Sequence, residues 1–559
     1  MNSVQTTPVQ TSEQDAGAAI TSPGIIGCWS ADAAPQTLDK LPTALREINK
    51  PIYVLLKDGQ HVFSQHGSVH LGTDEPTEDA LPLLAYAPVV TPKQLGDMSF
   101  CQDHAIRFAY MTGSMANGIA STRLVKAIAN AGMLASFGAA GLTLDEIERA
   151  LKTLDGLGST AWCANLIHSP NEKDKEDATV DLYLKYKLRL IEASAYLALT
   201  PAVVRYRVDG IHRDAEGNIV CPNRIIAKAS RIEVATRWFS PPPAKILQQL
   251  VANGDITQEQ MDLARLVPMA QDLTIEADSG GHTDNRPAIT LIPTIIALRD
   301  RLMNEYHYNT PLRVGAAGGI ATPASAAAAF AMGAAYIATG TVNQACIESG
   351  SSDIVRKMLA EAQQADVAMA PAVDMFEMGV KLQVLKRGTL FAMRGNKLYQ
   401  IYRACNSIDE ITQTDRESLE KTIFRAPLAE IWQNTRSFFL ARDPGQVSKA
   451  EQDPKHKMAL MFRWYLGLSS RWANTGEESR QGDFQVWCGP AMGAFNEWSK
   501  GSFLEQPDNR KVVTVALNIM YGAAVMTRIN MLRNQGITLS AEMTHSAPLE
   551  TVEIEKHLQ

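Results

Sequence analysis

VGAAGGIATPASAAAAFAMGAAYIATGT, residues 314–341, carries two glycine-rich strand ends in succession. A short apolar run ends in Gly318-Gly319, and Thr322-Pro323 then opens a helix-period segment. A second short run, AYIATGT, ends in Gly340-Thr341. Parallel strands joined by crossover helices produce this rhythm, and it continues upstream. FAYMTGSM (108–115), LASFGAAG (134–141), WCANLIH (162–168), VVRYRVDG (203–210), IIAKAS (225–230) and LTIEADSGG (273–281) read as further strands. TRLVKAIANAG, TLDEIERALKTL and KYKLRLIEASAYLAL (185–199) read as helices, the second with Thr143 and Glu146 spaced as a capping box. Seven or eight such units in about 280 residues predict an α/β fold of the closed (β/α)8 TIM-barrel type rather than an open doubly wound sheet.

With the barrel as one of them, the sequence predicts four segments. Residues 1–85 hold a tail, polar over about the first 20 residues, and a small β-containing unit. In it, residues 51–72 form short strands about an Asp58-Gly59 turn. Residues 86–370 form the barrel, 371–540 a helical region capping the substrate site, and 541–559 a polar tail.

Of 559 residues, 45% are hydrophobic and the net charge is -7, a balance that supports a large core and disfavours nucleic acid as partner. No uncharged apolar run of about 18 residues appears, so no membrane span is expected. Seven scattered cysteines without a CxxC pair suit reduced thiols in a cytoplasmic protein, with no metal site.

Barrel chemistry gathers at the C-terminal ends of the strands. Gly318, Gly319, Gly340 and Thr341 match a phosphate grip, in which backbone amides and a helix N-terminus converge on an anion; the alternative is two ordinary tight turns. In EADSGGHTDNRP (276–287), Glu276 ends a strand and Gly280-Gly281 present His282 in a polar loop, either as a site residue or as a surface histidine. Thr112, Gly113, Ser114 and Met115 open TGSMANGIAS, whose backbone suits a flat ring or a plain turn. Asn165 and Lys228 lie in or at the ends of strands among apolar neighbours. A lysine there needs a carboxylate partner or a bound anion.

Taken together these motifs resemble the FMN barrels of the nitronate monooxygenase and enoyl-reductase superfamily. TGSMANGIASTRLVKAIANAGMLASFGAAG (112–141) is similar to its opening, EADSGGHT to its Gly-Gly-His loop, and residues 316–341 to its phosphate segment. DMFEMGVKLQVLKRGTLFAMRGNKLYQIYR (374–403), DPKHKMALMFRWYLGLSSRWAN (453–474) and FQVWCGPAMGAFNEWSKGS (484–502) resemble the PfaD family more narrowly. These are the separate-chain enoyl reductases of polyunsaturated fatty acid and polyketide synthases.

The resemblance implies FMN as cofactor, NADPH as electron donor, and a 2-enoyl thioester on acyl carrier protein as substrate; it leaves a homodimer open. It implies that Thr112 to Met115, Asn165, Lys228, Glu276, Gly281 and His282 surround the flavin, with His282 catalytic. Gly318, Gly319, Gly340 and Thr341 then hold its phosphate, and the CGPAMG turn (488–493) lies near the ring. A nitronate monooxygenase and a non-catalytic synthase scaffold are the alternatives. Ser279 before the Gly-Gly pair and the large C-terminal region depart from the former.

Lys381 to Arg403 hold six basic residues and no acidic one. They suit either an acyl carrier docking patch, centred on Lys386 and Arg387, or arginines paired internally. A phosphate grip without a strand-Gly-x-Gly-x-x-Gly-helix unit predicts FMN rather than FAD. Heat denaturation of the purified protein should release FMN, identified by chromatography; recovery of FAD alone would overturn the assignment.

Overall fold

The computed structural model describes residues 24–72, 80–157, 162–168 and 173–558, so the predicted tail before residue 20 lies outside the described residues. The chain divides into two compact units. One comprises the residues up to Val89 with Thr527–His545; the other comprises Val90–Met526 with Ser546–Gln559.

The first unit is a six-stranded antiparallel sheet. Ile52–Lys57 and Gln60–Ser64 are its central hairpin, turned at Asp58 and Gly59, both at positive φ as a two-residue hairpin turn requires. The Arg528 guanidinium, fully buried, donates to the carbonyls of Leu45, Glu47 and Lys50 within this unit.

The second unit contains the barrel. Its eight parallel strands are β1 (Tyr110–Thr112), β2 (Leu134–Phe137), β3 (Trp162–Ile167), β4 (Leu190–Ser194), β5 (Arg224–Ala229), β6 (Asp272–Glu276), β7 (Arg313–Ala317) and β8 (Ile337–Thr339). They close in that order, with β8 pairing β1. The capping box at Thr143 and Glu146 forms as predicted and starts the helix Leu144–Leu154. Met111, Leu134, Cys163, Leu190, Ile226 and Ala338 make an apolar interior layer. Side chains alternate along a strand, so the residues two positions on face the same interior one layer nearer the C-terminal mouth. These include Gly113, Asn165, Glu192, Lys228 and Gly340, all of which line a cavity.

Two of the predicted elements are exchanged. Residues 185–199 do not form one helix, because β4 occupies Leu190–Ser194, and residues 203–210 are no strand, because the helix Pro201–Val208 stands there. Thr200 caps that helix and Pro201 takes its first position, which outweighs the β-branched pattern of VVRYRV. Ala195, at φ 64°, ends the strand.

Strands also continue past residue 370. Gly281–His282, Val367–Pro371 and Lys381–Leu385 form a three-stranded antiparallel sheet. Beyond it the chain is helical, around a core that includes Phe391, Leu398, Met458, Phe462 and Tyr465. The predicted polar tail contains the helix Thr551–Leu558, which buries Ile554. Val512–Asn534 is long and apolar enough to cross a bilayer by length and composition, and 83% of its most apolar window is buried inside the protein.

At the N-terminal end of the barrel, Arg313 binds Asp272 through Nε at 2.6 Å and Asp103 through Nη1 at 2.7 Å. His104 contacts Asp272 from the other side at 2.8 Å. Burial pushes the Asp272 carboxyl up, but the His104 hydrogen bond and the Arg313 charge outweigh it and hold the pKa at about 2. An acid depressed in the folded state contributes stability above its unfolded pKa of about 4, and that contribution is lost as pH falls towards about 2. Asp272→Asn should therefore cost about 3 kcal/mol in urea unfolding at pH 7 by leaving buried Arg313 with Asp103 as its one remaining carboxylate. The gap from the parent protein should narrow as pH falls from about 4 towards 2, where the parent carboxyl also protonates. A gap unchanged with pH would refute this.

Candidate active site

At the C-terminal mouth of the barrel lies a cavity of about 360 Å³. Two of its walls are strand ends that begin helices. After β7, Gly318 and Gly319 take φ 83° and 75°, and Thr322 caps the helix Pro323–Ala331 through a box with Ser325. Gly318 has no room for a side chain: a Cβ there would stand 2.7 Å from the Ala277 carbonyl carbon. At Gly319 and Gly340 a Cβ would meet nothing within 4 Å and would point into open space. The amides of both glycines meet no acceptor among the described residues. Free amides, glycine surfaces and a helix N-terminus are the features that an anion cradle requires.

Three charges occupy the cavity floor. Lys228 Nζ lies 2.9 Å from Glu276 Oε1. Burial alone would lower the Lys228 pKa, but Glu276 and then Glu192 outweigh it and hold the ammonium above its usual range. Glu192 is fully buried, and its Oε2 accepts from the Ser114 amide at 2.8 Å. Its Oε1 has no partner among the described residues, a costly condition for a buried carboxylate unless a ligand donor meets it. Asn165, at the same wall, donates to the Glu192 carbonyl and to Ser194 Oγ.

His282 hangs over this floor on the Gly281–His282 strand, pinned by pairing to Leu382 and Gln383. Its Nε2 lies 3.0 Å from Asp374 Oδ1, and 37% of its side chain stays accessible. Burial opposes its protonation, but Asp374, with a further pull from Glu276, raises its pKa. The loop before it is held by a close backbone approach. A Cβ on Gly280 would lie 2.8 Å from the Cys488 amide nitrogen, and one on Gly489 would lie 2.8 Å from that of Gly280. Trp487, Gly489 and Ala491 thereby complete the wall.

Residues 100–395 match the family described as nitronate monooxygenase, and residues 405–484 match the inserted helical domain of [acyl-carrier-protein] S-malonyltransferase. The structure resembles the enoyl reductase domain of MlnA from the macrolactin biosynthesis cluster of Bacillus amyloliquefaciens. The TM-score is 0.74 and the identity 39%, covering 79% of this chain and 99% of that one. The chain belongs to the nitronate monooxygenase family, in its PfaD-like branch.

Other relatives of this PfaD-like chain are parts of larger proteins. One polyunsaturated fatty acid synthase subunit of Thraustochytrium is 46% identical over 516 residues, covering 90% of this chain and 34% of its own length. Polyketide biosynthesis protein PksE of Bacillus subtilis is 44% identical over 444 residues, covering 79% of this chain and 58% of PksE. The chain thus spans from about a third to just over half of these two relatives.

The cavity of the PfaD-like chain gathers Gly113, Ser114, Met115, Asn165, Lys228, Glu276, Gly281, His282, Gly318, Gly319, Gly340 and Thr341. Thr112 is not among its lining residues. It is fully buried on the parity opposite to Met111 and Gly113, so its side chain faces away from the barrel interior. Lys228 has the carboxylate partner that was one of its two readings and still faces the cavity. Glu192 and Asp374 are additions. The first was hidden by reading 185–199 as a helix; the second stands in DMFEMG, where only its acidic character hinted at a histidine partner.

The basic stretch 381–403 forms no single face. Arg394 pairs with buried Asp483, Lys397 with Asp415, and Lys381 lines the cavity. Arg387 sits 3.8 Å from both Glu361 and Asp366. Internal pairing therefore accounts for Arg394 and Lys397. Gly340, at φ −126° and ψ −82°, lies outside the backbone regions L side chains favour, and Gly319, at φ 75°, does so too, so folding is read beside binding in either variant. Gly340→Leu should lower bound cofactor severalfold, read as absorbance per protein, by far more than it lowers the folded fraction of the cofactor-free protein. Full occupancy would refute the cradle.

Proposed function

We propose that the protein is an oxidoreductase, an FMN-dependent enoyl reductase that reduces the 2,3 double bond of enoyl thioesters on acyl carrier protein in polyunsaturated fatty acid or polyketide synthesis. NADPH supplies the electrons, and the setting is cytoplasmic. The observation that carries this reading is the union, at one barrel mouth, of an anion cradle, a buried Lys228–Glu276–Glu192 floor and an acid-paired His282. The enoyl reductase domain of MlnA and the synthase proteins among the relatives support it.

The residues fit FMN. Gly319 and Gly340 offer amides and space to one phosphate, and Glu192 Oε1 offers an acceptor without a donor. Lys228 brings positive charge to the floor. When bound, the flavin supplies hydride transfer, from the nicotinamide and then to the substrate β-carbon.

His282 acts on the substrate. With its pKa raised by Asp374, it keeps a proton that can be donated to the thioester oxygen as enolate charge develops, or passed to the α-carbon. Asp374 is a positioning residue, since it fixes the imidazole through Nε2. Trp487 and Val380 make the neighbouring wall apolar and limit the water that competes for that proton.

The helical region distinguishes this reading from nitronate oxidation. It matches an inserted domain of a malonyltransferase that acts on acyl carrier protein, and it lies outside the stretch matching nitronate monooxygenase. Reconstitution with a 2-enoyl acyl carrier protein and NADPH should yield the saturated acyl product by mass. NADPH consumption with oxygen uptake and no reduced acyl group would overturn it, and a protein that binds no flavin would favour a scaffold.

His282→Ala should slow enoyl reduction about 10²–10⁴-fold while flavin reduction by NADPH changes little. A group that must be protonated fails as pH rises through its pKa. Removing the carboxylate that raises that pKa, in Asp374→Asn, should shift the falling limb of the kcat profile to lower pH. Equal losses in both half-reactions for His282→Ala, or an unmoved limb for Asp374→Asn, would assign these residues to structure.

A further inference from the structure

A second cavity, of about 290 Å³, lies in the helical region and shares the Met375 wall with the first. Met375 follows Asp374, the partner of His282, so the two cavities are neighbours across one short segment. Lys449, Lys455, Arg463 and His456 line the second cavity together with Glu377 and Asp453.

Both acids already have partners. Asp453 caps the helix Pro454–Thr475, accepting from the amides of Lys455 and His456 at 2.9 and 3.0 Å. Glu377 accepts from Arg463 Nη1 at 3.3 Å. The cations are left in surplus. Lys449 has no carboxylate within 4.0 Å among the described residues, and Lys455 Nζ meets neutral groups, the Cys405 carbonyl at 3.0 Å, Asn406 Oδ1 at 3.4 Å and the Tyr402 ring at 4.9 Å from its centroid. Arg463 Nε is buried and has no partner among the described residues, although Arg463 lines the cavity. In a chain of net charge -7, a concave site with two lysines that have no carboxylate partner among the described residues and a spare guanidinium N–H suits an anion.

We propose that this cavity binds the phosphate ester of a phosphorylated reactant serving the neighbouring site. The inference deepens the reading above and rests on it for the identity of the reactants. Two sources share that chemistry: the phosphopantetheine arm of a carrier protein and the phosphates of the nicotinamide dinucleotide. Flexible lysines suit a phosphate, which lysine binds as a point charge without demanding one geometry. Two phosphate contacts of this kind fix the position of a long flexible chain whose reactive end lies elsewhere.

Calorimetric titration of the cofactor-loaded protein in low salt tests this without turnover. The probes are 4′-phosphopantetheine against pantetheine, and 2′,5′-ADP against adenosine. Lys449→Ala with Lys455→Ala should weaken one phosphorylated probe about tenfold and leave its phosphate-free counterpart within twofold. Loss with phosphopantetheine assigns the site to the carrier arm, and loss with 2′,5′-ADP assigns it to the dinucleotide. Lys449→Glu alone, at an exposed position, should give the same ranking and guards against a folding defect in the double variant. If neither phosphorylated probe changes, or if both members of a pair weaken alike, the proposal fails. A protein that shows the loss yet reduces no enoyl thioester keeps this site and loses the reading of the first.

Discussion

Gly280 and Gly489 stand more than 200 residues apart in sequence, and their backbones touch more closely than any side chain allows. Much of the site's geometry depends on that contact. It brings the Trp487–Ala491 segment against the loop that carries His282, and it closes a cavity that the barrel strands alone would leave open on one side. The same loop is zipped to Lys381–Leu385, whose Val384 bridges to Trp487. A histidine preceded by two glycines would otherwise be mobile. Here two independent backbone attachments hold its imidazole within reach of Asp374, and the added sheet converts glycine freedom into a fixed direction.

Electrostatics within the barrel follow from layering. Below the mouth, an apolar layer of Met111, Leu134, Cys163 and Leu190 separates two charged levels. Under it, Asp272, Arg313 and His104 neutralise one another and close the bottom. Above it, Lys228 is shared between Glu276 and Glu192, while one Glu192 oxygen stays unmatched. The lower level is complete in itself and serves stability. The upper one is incomplete, as expected of a level that a ligand finishes.

Most of the barrel was legible because its signals are local. Gly-Gly and Gly-Thr at strand ends, and caps such as Thr143 with Glu146, depend on residues a few positions apart. The exchange of β4 and the helix Pro201–Val208 shows where local signals compete. LRLIEAS is apolar with a helical spacing as well as a strand one, and only the cap at Thr200-Pro201 decides between them. Glu192 is hidden by that competition, because a residue on a helix has no barrel-interior parity. Thr112 lies off the cavity for a related reason: the pleat turns its side chain outward while Gly113, Ser114 and Met115 line the wall. The short sheet built on residues 281–282 and 381–385 was out of reach, since a two-residue strand has no period to detect and its partner lies a hundred positions away.

The helical segment 391–481 leaves and rejoins the fold at neighbouring points. The Leu390 amide bonds the Gly482 carbonyl at 2.8 Å, and Thr389 Oγ1 donates to the Phe484 carbonyl at the same distance. Entry and exit are stapled together independently of what lies between them. The segment is therefore a cassette. Its outer face can be lengthened or recharged while the strands that hold His282 keep their register, since only the inner face, with Met458, Phe462 and Tyr465, shares a core with Leu382 and Val384. Most of the residues that line the second cavity belong to that cassette, whereas none of those facing Lys228 do. A lineage can thus alter which molecules the protein engages while leaving untouched the chamber in which they would react.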